Sequence, residues 1–231
     1  MQRILDIFFS GLALLMLSPL MLPIAVLLRL TGEGEIFFQQ ERIGKNGKPF
    51  KLYKFATMLK DSPNIGTGTV TVKNDPRVLP IGRFLRKTKI NELPQLFNIF
   101  LGSMSIVGPR PQACKNFESF PLKLQQKIVK VKPGLSGIGP IIFCGEEDIL
   151  VGHAATANFY DMVIAPYKGE VEAWYVDHQT LFTYFAVILV TVWVVLFPSS
   201  SAVWHVFKGL PAPPEALKVS LKYPFPSASE G

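Results

Sequence analysis

The residues best suited to chemistry form a dense group of cations around a single acid near the middle of the chain. The acid is Glu92, which is the only carboxylate between Asp75 and Glu118. The cations nearest to it in sequence are Arg83, Arg86, Lys87 and Lys89. Helical spacing makes them a basic face, which together with Lys54 and Arg110 can bind a diphosphate through charge-assisted hydrogen bonds. The alternative is a solvated basic face near a membrane, and this stretch alone leaves both open.

Other familiar chemistries are missing from the sequence. It contains neither a GxxxxGK[ST] phosphate loop nor a GxGxxG motif, and its three histidines share no metal-ligand spacing. Its two cysteines make neither a disulfide framework nor a zinc site. A basic patch is non-specific support for nucleic-acid binding, and the strongly apolar N-terminal end argues against that function.

The elements that carry these residues include one very apolar segment. The chain has 231 residues, of which 48% are hydrophobic and only 18% charged, whereas about 25% charge is usual in a soluble domain. Ile4 to Leu30 is almost continuously apolar, and a bilayer core needs roughly 20 such residues. Pro19 and Pro23 interrupt the segment, so we expect a helix that bends near Ser18-Pro19.

Two topologies fit this segment, a full membrane span or a re-entrant helix that leaves on the side where it entered. From Glu41 to Lys132 there are 18 Lys and Arg against 5 Asp and Glu, which predicts a cytoplasmic placement for this part. Basic residues at both ends, Arg3 and Arg29, weakly favour the re-entrant form. A second apolar run, Leu181 to Phe197, has 17 residues, and it could span, lie in the interface or pack on the core.

The remaining sequence predicts short helices and one hairpin. Gly44-Lys-Asn-Gly47 between two alternating apolar runs predicts a β-hairpin. Three further expectations follow from helix and loop signals: a mostly helical Arg77 to Phe100 broken at Pro80 and Pro94, one helix from Phe117 to Val131, and a loosely ordered Pro-rich tail after Leu210.

Several longer motifs follow one another along the chain. They are Arg3-x-x-Asp6, Ser18-Pro19, QQERIGKNGKPFKLYKF (39–55), NDPRVLPIGRFLRKTKINELPQLFN (74–98), GSMSIVGPRP (102–111) and VKPGLSGIGP (131–140). In this order they resemble the bacterial sugar transferases known as monotopic polyprenyl-phosphate phosphoglycosyl transferases. The resemblance extends from about Arg3 to Pro140 and continues more weakly to Phe197.

The resemblance implies an enzyme that transfers a phospho-sugar from a UDP-sugar to undecaprenyl phosphate and releases UMP, with Mg²⁺ as cofactor. This reaction would be the first membrane step of exopolysaccharide, O-antigen or other glycoconjugate synthesis. The expected location is the bacterial inner (cytoplasmic) membrane, with the catalytic domain facing the cytoplasm. The expected partners are UDP-sugar, undecaprenyl phosphate and membrane lipid, without nucleic acid, and a homo-oligomer is compatible with the resemblance.

The resemblance also implies a fold and a domain order. We expect an α+β protein that is mainly helical, with a re-entrant membrane helix over residues 1–31. A small cytoplasmic catalytic domain over residues 32–180 would contain a short β-hairpin and amphipathic interfacial helices. Residues 181–231 would form an apolar interfacial segment and the Pro-rich tail.

Site residues are assigned by the matching motif positions. The family has an adjacent Asp-Glu catalytic pair, and this chain has Asn91-Glu92. Glu92 is therefore expected to be the indispensable carboxylate and Mg²⁺ ligand, with Asn91 as its hydrogen-bonding partner. The positions expected to bind phosphate or substrate are Lys54, Arg86, Gln95, Arg110 and Pro111, and those expected to break the membrane helix are Ser18 and Pro19.

Two departures from the family pattern bear on the mechanism. Asn91 replaces the usual nucleophilic Asp, and Ala56 stands where the family usually has Arg. Because an amide is a poor nucleophile, either Glu92 attacks in its place or the lipid phosphate attacks directly. The alternative is a catalytically inactive family member that acts as a membrane scaffold for glycan assembly.

Overall fold

The chain folds into a mainly helical structure with two small two-stranded sheets. A computed structural model describes residues 1–31, 33–62, 75–145, 149 and 159–224. It divides into two compact units, which are described separately. The first contains Met1, Arg3–Glu41 and Phe50–Met104, and the second contains Gln2, Arg42–Pro49 and Ser105–Gly231. The mainly helical α+β class expected from the sequence is confirmed, whereas the domain limits stay a prediction.

The elements are short apart from three helices. In chain order they are α1 (Gln2–Leu30), β1 (Phe37–Ile43), β2 (Pro49–Phe55), α2 (Pro80–Lys87), a 3₁₀ turn (Ile90–Glu92), α3 (Gln95–Leu101), β3 (Ser105–Val107), α4 (Cys114–Glu118), α5 (Leu122–Ile128), β4 (Gly134–Ser136), α6 (Ile138–Ile142), α7 (Ala165–Asp177), α8 (Leu181–Leu196), α9 (Ala202–Val206) and α10 (Glu215–Lys218).

The first helix, α1, continues through both of its prolines. Pro19 has no N–H, so it cannot donate to the Leu15 carbonyl four residues earlier. The Ser18 hydroxyl donates to that carbonyl instead, at 2.8 Å. The Ser18-Pro19 pair thus removes a backbone donor and supplies a side-chain donor in its place, while a bend at this point stays a prediction.

One side of α1 belongs to the core of the first unit. Met21 and Leu28 pack with Phe55 of β2 and Leu85 of α2. The other side exposes large apolar residues, including Ile4, Phe8, Leu15, Met16 and Leu22. By length and composition, α1 is the one helix in the described part of the chain that could cross a membrane.

The predicted hairpin is confirmed. Strands β1 and β2 pair, and the connection places Asn46 at φ 59° and Gly47 at φ 72°. Two consecutive positive φ values are what an Asn-Gly hairpin turn requires. The turn therefore forms for the local reason that the sequence indicates.

Prolines begin helices here more often than they break them. Pro80 is the first residue of α2 rather than an interruption, because the first helical position needs no N–H. Pro94 directly precedes α3, as expected. The single helix predicted over Phe117 to Val131 is wrong, because it is two helices, α4 and α5, and Pro121 directly precedes the second.

In the second unit, α8 packs one face against the protein. Its buried residues are Thr183, Tyr184, Ala186, Val187, Val190 and Val194, and the Thr191 hydroxyl lies 2.6 Å from that of Ser136 in β4. Sixteen residues make a helix of about 24 Å, shorter than a bilayer core of about 30 Å. One face of α8 thus packs on the core, the opposite face exposes Phe182, Leu189, Trp193 and Leu196, and the interfacial placement stays a prediction.

The Pro-rich end is more ordered than the sequence suggests. Leu217 and Leu221 are buried, and the Trp204 indole N–H donates to the Leu221 carbonyl at 3.0 Å. The prediction of a loosely ordered tail is therefore wrong up to residue 224. Residues 225–231 of that tail lie outside the described residues, as do residues 63–74.

Candidate functional site

In the first unit, Glu92 of the predicted Asn91-Glu92 pair forms an ion pair with Lys54. Lys54 lies near the end of β2 and Glu92 ends the 3₁₀ turn. Lys54 Nζ is 3.4 Å from Glu92 Oε1, and their side chains are 21% and 20% exposed. This exposure leaves the pair accessible to a ligand while reducing the screening of its charges. The fold thus brings together two residues that are 38 positions apart in sequence.

The turn that carries Glu92 has an unusual backbone. Lys89, the residue before the 3₁₀ turn, has φ 60°. This left-handed backbone conformation is uncommon for residues other than Gly, Asn or Asp. Its N–H donates to the Arg86 carbonyl, and its carbonyl accepts from the Glu92 N–H at 3.0 Å. This reversal ends α2 and leads the chain into the 3₁₀ turn Ile90–Glu92.

Asn91 is buried within that turn. It is 7% exposed, and its Oδ1 has no hydrogen-bond partner among the residues that the structure describes. A buried polar atom without a partner costs about 1–3 kcal/mol. The Asn91 amide oxygen is thus a buried acceptor that no described donor satisfies.

Arg86 and Gln95 belong to the same unit and differ in exposure. Arg86 is partly exposed in the last turn of α2, and its guanidinium approaches the Met58 sulfur at 3.5 Å. Gln95, the first residue of α3, is buried. Ala56 is also buried. The substrate-binding roles of Arg86 and Gln95 stay predictions.

Sequence reasoning missed a positioning residue, Asn98 of α3. Its amide nitrogen donates to the Lys51 carbonyl at 2.8 Å, and its oxygen accepts from the Tyr53 N–H at 2.9 Å. Asn98 therefore pairs with the outer edge of β2 as a neighbouring strand would, next to Lys54. Its partners are more than 40 positions away in sequence, so no local signal indicated this role.

In the second unit, the Gly108-Pro-Arg-Pro111 turn follows β3. Arg110 is exposed and Pro111 is buried. Strand β3 pairs in parallel with β4, and the turn is held by the bonds Gly108 N–H to Ser136 O, 2.9 Å, and Gly134 N–H to Pro109 O, 2.8 Å. The two motifs GPRP and PGLSG are thus hydrogen-bonded partners in one layer.

Glycines are required where these two segments meet. A Cβ on Gly134 would lie 2.1 Å from Gly108 N, and one on Gly137 would lie 2.2 Å from Gly108 O. Real Cβ atoms do not approach backbone this closely, and here the obstacle is main chain that cannot rotate away. The backbone-to-backbone contact therefore accounts for the glycines in both motifs.

A second residue missed from the sequence is Glu172 of α7. It is 1% exposed, and its Oε1 accepts from the Arg110 N–H at 3.1 Å. Burial raises the pKa of the Glu172 carboxyl to about 7, although the Arg110 N–H and the charges of Lys168 and Arg110 act in the opposite direction. Against the ordinary value this costs about 3 kcal/mol of stability as the pH rises from about 4.5 to 7.

The Ile90–Glu92 turn fits the chemistry of Mg²⁺. Proteins usually hold this ion through one or two carboxylates together with substrate phosphates and water. Glu92 supplies a carboxylate, and Asn91 Oδ1 is a buried oxygen without a partner within the described ranges. Those ranges contain no group of three or more His, Cys, Asp or Glu that could hold a metal.

Comparison with known proteins defines the class to which this fold and site belong. Residues 1–198 match the family model described as bacterial sugar transferase. Because the match covers most of the chain, the chain belongs to the bacterial sugar transferase family. The resemblance drawn from the motifs is confirmed.

Three curated relatives illustrate the match. The UDP-glucose:undecaprenyl-phosphate glucose-1-phosphate transferase of Klebsiella pneumoniae is 41% identical over 154 residues, covering 64% of this chain and 32% of that protein. The exopolysaccharide production protein PSS of Rhizobium leguminosarum bv. phaseoli is 49% identical over 113 residues, covering 49% and 56%. The undecaprenyl-phosphate galactose phosphotransferase of Salmonella typhimurium is 31% identical over 210 residues, covering 85% and 40%. This chain thus spans about a third of the length of the Klebsiella relative.

Proposed function

We propose that this chain transfers a sugar 1-phosphate from a UDP-sugar to undecaprenyl phosphate, releasing UMP, as the first membrane step of glycoconjugate synthesis. The observation that carries the proposal is the Lys54–Glu92 pair at 3.4 Å, at the motif positions of a sugar transferase. A carboxylate beside a cation can act on the β-phosphate of a nucleotide sugar while the cation attracts its oxygens. The relatives' names include both glucose and galactose, so the hexose is left open.

Glu92 carries the reaction by one of two routes. In the covalent route a Glu92 oxygen attacks the β-phosphorus, the bond to the UMP oxygen breaks, and a phospho-sugar ester of Glu92 forms. Undecaprenyl phosphate then attacks the same phosphorus and releases the carboxylate. In the direct route the lipid phosphate attacks the β-phosphorus itself, the bond to the UMP oxygen breaks, and Glu92 would hold Mg²⁺ with Asn91 beside it. The bound ion would neutralise charge on the transferred phosphoryl group.

Phosphate binding is assigned to three cations. Lys54 and Arg86 lie in the first unit, and Arg110 is exposed in the second. An arginine–phosphate contact contributes about 1.5–3 kcal/mol. We expect Arg110→Ala to weaken UDP binding by roughly 10- to 150-fold. Unchanged UDP affinity in both Arg86→Ala and Arg110→Ala would remove these residues from the site.

We further propose that the protein lies on the cytoplasmic face of the bacterial inner membrane, with α1 as a re-entrant helix. The exposed apolar sides of α1 and α8 support lipid contact. A cysteine at Gln2→Cys, in a Cys114→Ser/Cys144→Ser background, should stay unlabelled by an impermeant thiol reagent in intact spheroplasts. Lys87→Cys is the matched internal control, and both sites should label after lysis. Labelling of Gln2→Cys alone in intact cells would contradict the re-entrant topology.

The activity test is UMP release from a panel of UDP-hexoses with undecaprenyl phosphate and Mg²⁺. We expect release with at least one sugar, and we expect Glu92→Gln to abolish it. Glu118→Gln is the control, since it makes the same chemical change at an exposed position of α4. Full activity in Glu92→Gln would overturn the assignment. No release with any sugar would instead support the scaffold alternative.

The two routes differ in a measurable mass. When the protein is mixed with UDP-sugar and Mg²⁺ but no lipid phosphate, only the covalent route adds a phospho-sugar to the chain. Intact-protein mass spectrometry detects that addition, and it should disappear in Glu92→Gln. An unmodified wild-type mass together with normal turnover would establish direct attack by the lipid phosphate.

A further inference from the structure

Glu172 is the least exposed carboxylate among the described residues. It lies on one face of α7 with Lys168 and Tyr175, spaced four and three residues apart, and all three are buried. The Tyr175 hydroxyl donates to the Val107 carbonyl at the end of β3, at 3.0 Å. This face of α7 therefore lies directly against the strand that leads into the Gly108-Pro-Arg-Pro111 turn.

The turn leaves one backbone donor for α7 to satisfy. Pro109 and Pro111 have no N–H, and the Gly108 N–H is already bonded to β4. The Arg110 N–H remains, and it donates to Glu172 Oε1 at 3.1 Å. Glu172 is thus the contact that fixes the main chain at Arg110 itself.

Space for this carboxylate comes from a missing side chain. A Cβ on Gly139 of α6 would lie 2.2 Å from Glu172 Oε1 and 2.7 Å from its Cδ. Alanine at position 139 would therefore displace the carboxylate without changing its chemistry. The second oxygen, Oε2, is buried with no hydrogen-bond partner in the described part of the chain.

The burial of this acid is poorly explained by stability alone. Its environment raises the pKa of Glu172 to about 7, so at higher pH the fold carries a buried charge that opposes folding. The charges acting on it are Lys168 from its own helix and Arg110 from the turn, and α6 contains no titratable residue. A neutral residue of similar shape would relieve this cost.

We propose that Glu172 is a positioning residue for phosphate recognition, which holds the Arg110 main chain so that the guanidinium meets the diphosphate of the nucleotide sugar. Gly139 serves the same role by leaving room for the carboxylate. The inference rests on the proposed function, because it requires Arg110 to bind phosphate. It adds two residues, Glu172 and Gly139, that do not touch the substrate.

The test measures the affinity for UDP by calorimetry, with full-length protein in lipid nanodiscs. We expect Glu172→Gln and Gly139→Ala each to weaken UDP binding about tenfold, part of the effect expected for losing an arginine–phosphate contact. The double variant should lose little more than either single one, because Glu172→Gln weakens the Arg110 N–H contact by removing its charge and Gly139→Ala displaces the same contact. Glu170→Gln, an exposed neighbour on the same helix, should bind like the wild type.

Two further measurements separate positioning from folding. Glu172→Gln should keep or raise the melting temperature at pH 8.5, since it removes a buried charge, whereas a purely structural residue would lower it. The wild type and Glu170→Gln should also lose UDP affinity as the pH falls through about 7. Glu172→Gln should not show this loss of affinity. Because the titration of UDP itself affects every variant alike, the difference between Glu172→Gln and Glu170→Gln isolates the contribution of Glu172.

The outcomes separate this inference from the proposed function. If Arg110→Ala binds UDP normally, the phosphate role of Arg110 fails and the inference fails with it. If Arg110→Ala weakens binding but neither Glu172→Gln nor Gly139→Ala does, only the positioning role is overturned. If Glu172→Gln does not fold, Gly139→Ala alone decides, because it displaces the carboxylate and leaves the acid in place.

Discussion

Two turns carry the candidate chemistry, and they are held in different ways. The turn Lys89–Glu92 in the first unit depends on side chains, because Lys54 pairs with Glu92 and Asn98 fixes the strand beside Lys54. The turn Gly108–Pro111 in the second unit is held by main chain against main chain. The first arrangement is held through side chains, which can adjust to changes in its reactive groups. The second tolerates almost no added atom.

The largest effect is expected at Gly134. A Cβ there would meet Gly108 N at 2.1 Å and Ser136 O at 2.5 Å, so strands β3 and β4 would have to separate. We expect Gly134→Ala to lower the free energy of unfolding by more than about 4 kcal/mol, measured by urea titration in detergent. Gly47→Ala is the control, because no atom lies within 4 Å and only its φ of 72° is strained. It should cost about 1 kcal/mol.

Equal losses in these two glycine variants would contradict the comparison. They would mean that the positive φ at Gly47 costs as much as the contact at Gly134. The Gly108–Pro111 turn would then be no more constrained than an exposed hairpin tip.

Asn98 tests how far side chains hold the first turn. Asn98→Ala leaves the Tyr53 N–H and the Lys51 carbonyl without their partner, and each unsatisfied buried group costs about 1–3 kcal/mol. We expect a loss of about 3 kcal/mol in the free energy of unfolding and a lower rate of UMP release. Asn116→Ala on the exposed side of α4 is the control. A loss below 1 kcal/mol would show that β2 holds its position without Asn98.

The sequence predicts the parts of this molecule that have local causes. Asn46-Gly47 requires a hairpin wherever it lies between alternating strands, and Pro94 marks a helix start by its own geometry. The Lys54–Glu92 contact was not predicted, because the two residues are 38 positions apart in sequence and the motif resemblance only assigned both of them to one site. Residue types and spacing alone left the basic group open between a binding site and a solvated surface.

The residues that sequence reasoning missed act through distant partners. Glu172 lies in a helix that buries almost every side, so no polar face marked it, and acids are rarely buried. Pro121 is the exception, because a proline at a helix start is a local signal that the single predicted helix overlooked. Leu217 and Leu221 lie in a Pro-rich tail, yet both are buried in the second unit.

Restoring the family's acid should be a smaller change with a definite pH dependence. Asn91→Asp places a carboxylate where Oδ1 is buried without a described partner, so burial should raise its pKa above the ordinary value. Stability should then match the wild type at pH 4 and fall by about 2 kcal/mol by pH 8, as the buried acid loses its proton. Denaturant titrations at both pH values measure this difference. If the stability difference between Asn91→Asp and the wild type is the same at both pH values, the new carboxylate already has a hydrogen-bond donor or a cation as its partner.

The same variant tests whether the two departures from the family are linked. We expect no increase in UMP release from Asn91→Asp alone, because Ala56 leaves the usual arginine absent. The double variant Asn91→Asp/Ala56→Arg should release UMP faster than either single variant if the carboxylate and the guanidinium act together. Higher activity in Asn91→Asp alone would show that the positions are independent.

The smallest effect is expected at Lys89, where backbone and charge can be separated. Its φ of 60° suits glycine better than lysine. Lys89→Gly should therefore raise the free energy of unfolding by up to about 1 kcal/mol. Lys89→Ala removes the same charge but keeps the strain, so its stability should stay within about 0.5 kcal/mol of the wild type.

If the Lys89 charge helps to bind the diphosphate, both variants should lose UDP affinity equally. If the reversed backbone matters instead, Lys89→Ala should bind normally while Lys89→Gly, with a freer main chain, binds less tightly. A glycine variant less stable than the alanine variant would show that the turn does not strain Lys89, and that the first turn, like the second, is held by its main chain.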